Sequence, residues 1–200
     1  MPKKYVLTTE TKLHLGRTLY RIRALISFGD VSADEFGGWI EDEKNLDQSG
    51  DAWVYGNAVV SGDAWVYGNA RVYGDAVVSG DARVSGDARV SGNARVSGNA
   101  WVYGNARVYG NARVFRCEHY LVIGPIGSRD AFTTFFRAKS KAIEVVCGCF
   151  FGTIDEFAAK VAETHGDNQH AVVYRAAIEI AKVRIDLTGE SSQAEEQEAE

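Results

Sequence analysis

Two short pairs in this chain, Cys117-x-His119 and Cys147-x-Cys149, carry side chains that ligate soft metals. On adjacent strands they would supply the four ligands of a zinc site. Their spacing is not the Cys-x-x-Cys knuckle. On one strand Cys147 and Cys149 would share a face, where free thiols serve equally well as core residues. A second group is Gly127-Ser128-Arg129 with Arg137, Lys139 and Lys141. Glycine and serine permit close backbone approach, and arginine offers a fork to phosphate or carboxylate, so Ser128, Arg129, Arg137 and Lys139 could hold a small nucleotide. A solvated Gly-Ser turn is the other reading of the same residues. The four histidines that could act as acid or base are His14, His119, His165 and His170.

None of those histidines lies in the stretch around which the chain is organised. Residues 50–115 are one six-residue phrase, Gly-Asp/Asn-Ala-x-Val-Tyr/Ser, repeated 11 times without insertion. A fixed short period is the signature of a stacked solenoid. Within Ala-Arg-Val-Tyr the alternation turns Ala and Val one way and Arg and Tyr the other. Gly followed by Asp or Asn forms the corner. Strands of about four residues joined by corners wind into a parallel β-helix with coils about 4.8 Å apart.

Val54-Tyr55-Gly56-Asn57-Ala58 and its copies resemble the hexapeptide of the left-handed β-helix, in which three hexads close one triangular coil. That resemblance implies nearly four left-handed coils and outward columns of period 18. One face stacks Trp53, Arg71, Arg89 and Arg107 beside Tyr55, Tyr73, Ser91 and Tyr109. The second stacks Val59, Val77, Arg95 and Arg113. The third stacks Trp65, Arg83 and Trp101 beside Tyr67, Ser85 and Tyr103. The outward aromatic and arginine set reads either as ring ladders that stabilise the stack or as an oligomer or partner surface. Many proteins of the resembled class are trimeric acyltransferases with a catalytic histidine at the coils. These hexads contain none, so a general base is missing there.

The flanks carry a further resemblance. Leu19–Ala24, Gly37-Gly38-Trp39-Ile40, Asn45-Leu46 and then the repeats look like a hexapeptide-repeat family common in bacteriophages and prophages. Cys147–Thr153 and Thr164-His165-Gly166-Asp167 resemble the C-terminal module that accompanies such repeats. The resemblance implies a fold and a genomic setting, and no reaction.

Charge narrows the partners. The net charge of −5 is concentrated at the C-terminus, where the last eleven residues carry five Glu. The rest of the chain is close to neutral and leaves no electrostatic footprint for nucleic acid, and the six Arg that offset five Asp in the hexads argue against a DNA-mimic β-helix. No stretch reaches membrane-spanning length, no signal peptide follows Met1, and three cysteines do not make a disulfide framework. The expected setting is a reducing bacterial cytoplasm.

The elements that must position these residues follow from the pattern. Residues 1–37 read as a β cap, with Tyr5-Val6-Leu7 pairing Thr18–Ile26 through Glu10–Gly16. Residues 38–115 form the β-helix, with Ile40 and Leu46 at Ala positions of its first coil. Residues 116–187 read as βββαα, with strands over Tyr120–Gly124, Phe132–Arg137 and Ile143–Phe150. A capping box at Thr153 and Glu156 opens the first helix, and the second runs from Gln169 to Arg184. Residues 188–200 read as an acidic disordered tail. The function expected is non-enzymatic binding or scaffolding, with the β-helix as rigid spacer and oligomerisation face, trimeric by resemblance. The C-terminal unit would recognise a protein partner or a small nucleotide. A phage inhibitor of host defence and a hexapeptide-type acyltransferase are the alternatives.

Overall fold

The structure is a computed structural model that describes residues 3–188. The expected acidic tail lies, from residue 189 on, outside the described residues. Three cap strands come first: β1 (Tyr5–His14), β2 (Arg17–Ala24) and β3 (Phe36–Ile40). Eleven two-residue strands follow at six-residue intervals, β4–β14, from Trp53–Val54 to Arg113–Val114. Four antiparallel strands, β15 (Tyr120–Ile126), β16 (Ala131–Arg137), β17 (Ile143–Cys147) and β18 (Phe150–Thr153), then lead into helices α1 (Ile154–His165) and α2 (Gln169–Arg184).

The period-18 stacking holds residue for residue. Trp53 pairs with Arg71, Arg71 with Arg89 and Arg89 with Arg107, all parallel. The other two sides stack as β5-β8-β11-β14 and β6-β9-β12. The chain is therefore a three-sided β-solenoid of about four coils. Its interior is the Ala and Val of every hexad, at most 1% exposed. Positive φ favours glycine at the corners, and within the stack most also leave no room for a side chain. At Gly86, φ is +66° and a Cβ would fall 2.9 Å from the backbone nitrogen of Gly104 in the next coil. The mixture of Asp and Asn at the corners also makes bonds, with Asn57 donating to Asp75 (3.2 Å) and Asn69 to Asp87 (3.1 Å).

The coils are joined by parallel ladders, in which N–H groups of one coil donate to carbonyls of the next and its carbonyls accept from N–H groups in return. The N–H of Trp53 donates to the Ala70 carbonyl (3.0 Å), that of Arg71 to Ala88 and that of Arg89 to Ala106 (2.9 Å each). The first coil and the last are each left with backbone groups that no further coil pairs. The cap answers the first. Trp39 and Glu41 donate to Ala58 and Val60. The Asn45 amide donates to Gly62 and Ala64, and Lys4 Nζ reaches Ser49 and Gly50 (3.3 Å) and Ala52 (3.0 Å). Burial lowers the Lys4 ammonium to about 8, against the pull of Asp47 and Asp51. At the far end the Thr134 hydroxyl accepts from Arg107 N–H (3.0 Å), and His119 Nδ1 accepts from Phe115 N–H (3.0 Å).

Several expectations need correction. The cap hairpin is longer than expected and turns at Leu15-Gly16, both left-handed, where two residues in that conformation match the strand twist. Ile40 and Leu46 pair with Val60 and Val66, so they occupy Val rather than Ala positions. Coil strands are two residues long, not four. The expected strand Ile143–Phe150 is a hairpin, β17–β18, broken at Gly148 with φ +60°. Trp53 points outward from its coil yet is fully buried, packed edge-on against Tyr5 and Phe28 of the cap. Val59 and Val77 are likewise covered, by Leu19 and Trp39. A solenoid side facing outward is not thereby facing water when the cap folds back along it.

Lys4→Met and Thr134→Val each strip a partner from one end of the ladder. Each should lower stability in urea denaturation by about 1–3 kcal/mol, the cost of an unsatisfied buried group. Lys3→Met should change it by less than about 0.5 kcal/mol, because the Lys3–Glu43 pair is solvent-exposed.

Candidate functional site in the C-terminal unit

The turn before β16, the β17–β18 turn and one side of both helices enclose a cleft of about 410 Å³. Helix α1 begins there because Thr153 and Glu156 cap each other's free backbone N–H groups, as the sequence implies. Its apolar face, Ile154, Phe157 and Val161, packs on Phe135 and Val145 of the sheet and on Tyr174 and Ile178 of α2. Phe150, Phe157, Val161 and Tyr174 form the floor of the cleft. Ser128, Arg129, Lys160, Thr164 and His165 stand around it, and half-buried Cys147 and exposed Cys149 also line it.

Tyr174 fixes the back wall. A Cβ at Gly127 would lie 1.8 Å from the Tyr174 hydroxyl oxygen, so the turn needs glycine to let that ring approach. The Thr133 hydroxyl donates to Cys147 Sγ (3.2 Å), and Cys147 Sγ donates to the Tyr174 hydroxyl (3.6 Å). Burial, then the bond to Cys147, pushes the Tyr174 hydroxyl up to about 12, so it stays neutral at ordinary pH. The His165 ring lies 5.7 Å from the Tyr174 ring, centroid to centroid. Chemically, the arrangement suits holding a molecule: an apolar floor, a neutral hydroxyl at the back and cationic side chains at the mouth.

The proposed phosphate set divides. Ser128 and Arg129 line the cleft. Arg137 and Lys139 sit at the other end of β16, about 20 Å away at ~3.3 Å per residue. Arg137 is 3% exposed with its guanidinium over the Phe115 ring, and the Lys139 N–H donates to the Asn111 carbonyl, strapping the unit to the solenoid. The proposed zinc set divides the same way. Cys117 and His119 lie in a 3-10 turn under the last coil, whereas Cys147 and Cys149 line the cleft. Among the described residues no three His, Cys, Asp or Glu converge on a metal site, and all three cysteines are free thiols.

The outward aromatic set also divides. On the first face the Tyr55 hydroxyl donates to Asp30 (2.9 Å), Arg71 pairs with Asp30, and Tyr109 is hydrogen-bonded to Tyr73, with Arg107 alongside. The cap loop thus takes up the lower end of that face, a contact that repeat periodicity does not reveal. The third face stays open. Trp65, Trp101 and Tyr103 are 38%, 43% and 55% exposed, with Trp65 and Tyr67 stacked at 4.1 Å. Sequence reasoning did not place Phe157, Lys160 or Tyr174 in a site, and these come to the cleft from two helices. The sequence signals were the capping box that fixes where α1 starts and the module resemblance that includes Thr164.

A family model described as the YdcK beta solenoid repeat matches residues 52–68, 64–80, 82–94, 88–104 and 106–116. The chain is similar to that repeat family across its coils, and the match does not extend over the cleft. No curated protein matches the chain.

His119 carries a pH dependence. Burial first, then Arg137 and Arg116, lower its imidazole from 6.5 to about 4, so the fold holds the neutral, accepting ring. Below pH 6.5 the unfolded chain gains a proton that the folded chain refuses. Its contribution is complete above pH 6.5 and is lost as the pH falls towards 4, by about 1–3 kcal/mol. Urea titrations at pH 7 and pH 4.5 should show this loss, and His119→Gln should reduce the difference between them.

Proposed function

We propose that this chain is a non-enzymatic binding protein. The β-solenoid acts as a rigid spacer, and the cleft of the C-terminal unit recognises a small anionic molecule with an apolar body. The observation that carries this is the make-up of the cleft: Phe150, Phe157 and Val161 beneath, and Arg129 and Lys160 at the mouth. Apolar burial supplies affinity and the cations select charge. A phage or prophage setting in a bacterial cytoplasm accords with this reading, and sequestering a small signal would be one way to oppose a host defence. The acyltransferase alternative lacks a histidine on any coil, and the hydrogen-bond partners of Cys147 are Thr133 and Tyr174.

Trp65, Trp101 and Tyr103 support a second reading, in which the third face joins copies of the chain, as a trimer by family resemblance, or docks a protein partner. Native mass spectrometry should then show an oligomer that Trp101→Ser weakens. A monomeric mass at micromolar concentration removes the self-association.

The cleft is tested with the anionic fluorophore 8-anilinonaphthalene-1-sulfonate. It should bind the folded protein and slow maleimide alkylation of Cys147. Thr164→Trp, at an exposed position on the cleft lining, should weaken that binding by about tenfold or more without loss of stability. Equal dye binding and equal alkylation in the variant would mean that the cleft is not the recognition site.

A further inference from the structure

A second hollow, of about 300 Å³, lies where the first solenoid face meets the C-terminal sheet. It is lined by Arg89 and Arg107 from the coils and by Phe132 from β16, and it shares Ala131 and Gly148 with the cleft. The two cavities are therefore contiguous. At their junction Arg129 Nη1 lies 3.7 Å from the point where a Cβ on Gly148 would stand. Three guanidinium-bearing residues thus surround one seam. The notch lining itself carries Arg89 and Arg107 against one acid, Asp87, and Arg129 from the adjoining cleft lining raises the balance across the seam to three minus one, or two net positive charges.

Arg89 and Arg107 differ from their neighbours. They face each other directly on adjacent parallel strands, about 4.8 Å apart. Like charges so placed repel. Arg71, one coil below, is neutralised by Asp30, and Arg113 on the second face donates to the carbonyls of Asn93 and Ala112. Among the described residues no carboxylate forms an ion pair with Arg89 or Arg107. An uncompensated arginine pair at the mouth of an apolar cleft has the composition of an anion subsite.

We propose that Arg89 and Arg107, with Arg129, bind the phosphate of a phosphorylated small molecule whose aromatic or apolar body lies in the cleft, across Gly148. A phosphate carries about −1.5 to −2 charges, which matches the notch. The ligand would bridge solenoid and C-terminal unit, so the coils take part in recognition and are more than a spacer. This rests on the cleft being the recognition site.

The test is calorimetric titration of the full chain with ADP, GDP, UDP, adenosine and pyrophosphate. At least one nucleoside diphosphate should bind. Arg89→Gln with Arg107→Gln should weaken that binding by about a hundredfold, about tenfold per charge, and flatten its salt dependence. The same double variant should melt no lower than the parent without ligand, because it removes a repulsion. Undiminished binding in the double variant, or no heat from any of the phosphorylated compounds, overturns the phosphate subsite. If the dye still binds and protects Cys147 in that second case, the cleft reading survives alone. If instead a diphosphate binds and Thr164→Trp leaves its affinity unchanged, the cleft reading fails, and with it the bridging ligand.

Discussion

The coils pair through open parallel ladders, and the rest of the molecule is arranged around that constraint. A parallel solenoid cannot close on itself, so each end offers backbone groups that no further coil pairs. Both ends therefore need a cap. At the first coil stand an ammonium from Lys4, an amide from Asn45 and the N–H groups of β3, with the Glu41 carboxylate accepting from Gly62. At the last coil the hydroxyl of Thr134 and the neutral imidazole of His119 accept, and the Tyr120 hydroxyl and Lys139 N–H donate. Buried Lys4 and His119 would be puzzling in an ordinary core. Here each pairs a backbone group that its end leaves open.

The cap at the last coil has a consequence for the site. Thr134 lies in the middle of β16, and its bond to Arg107 pins that strand across the last coil. Ala138 pairs with Ala112, and Lys139 with Asn111, a few residues further on. The sheet is thereby fixed with its Ala131 end beside the first solenoid face. The cleft, built at that end by the two turns and the helices, opens next to the arginine column. A cap needed for backbone satisfaction thus decides which side chains of the coils border the cavity.

The fold itself specifies no reaction, since solenoids host many functions. What distinguishes this molecule is where its exposed chemistry is left over. The cap loop absorbs Trp53, Tyr55 and Arg71, and the cap hairpin covers Val59 and Val77. Among the described residues of the coils, the aromatic third face and the seam between Arg89, Arg107 and the cleft remain uncommitted.

The sequence by itself determined the solenoid, the inward Ala and Val, the capping box at Thr153 and the span of α2, while its three-sided period entered through the resemblance to the hexapeptide β-helix. Each is a local rule repeated or self-contained: alternation sets which side chains enter the core, glycine sets the corners, and a hydroxyl three residues before a glutamate sets a helix start. The tertiary structure alone decided that Trp53 is buried and that Cys117 and His119 are remote from Cys147 and Cys149. It also decided that Arg137 and Lys139 strap the sheet instead of facing Ser128 and Arg129. Those facts depend on how a cap folds back and on which end of a strand meets the last coil. Such contacts join residues far apart in the chain, and no period or local spacing encodes them.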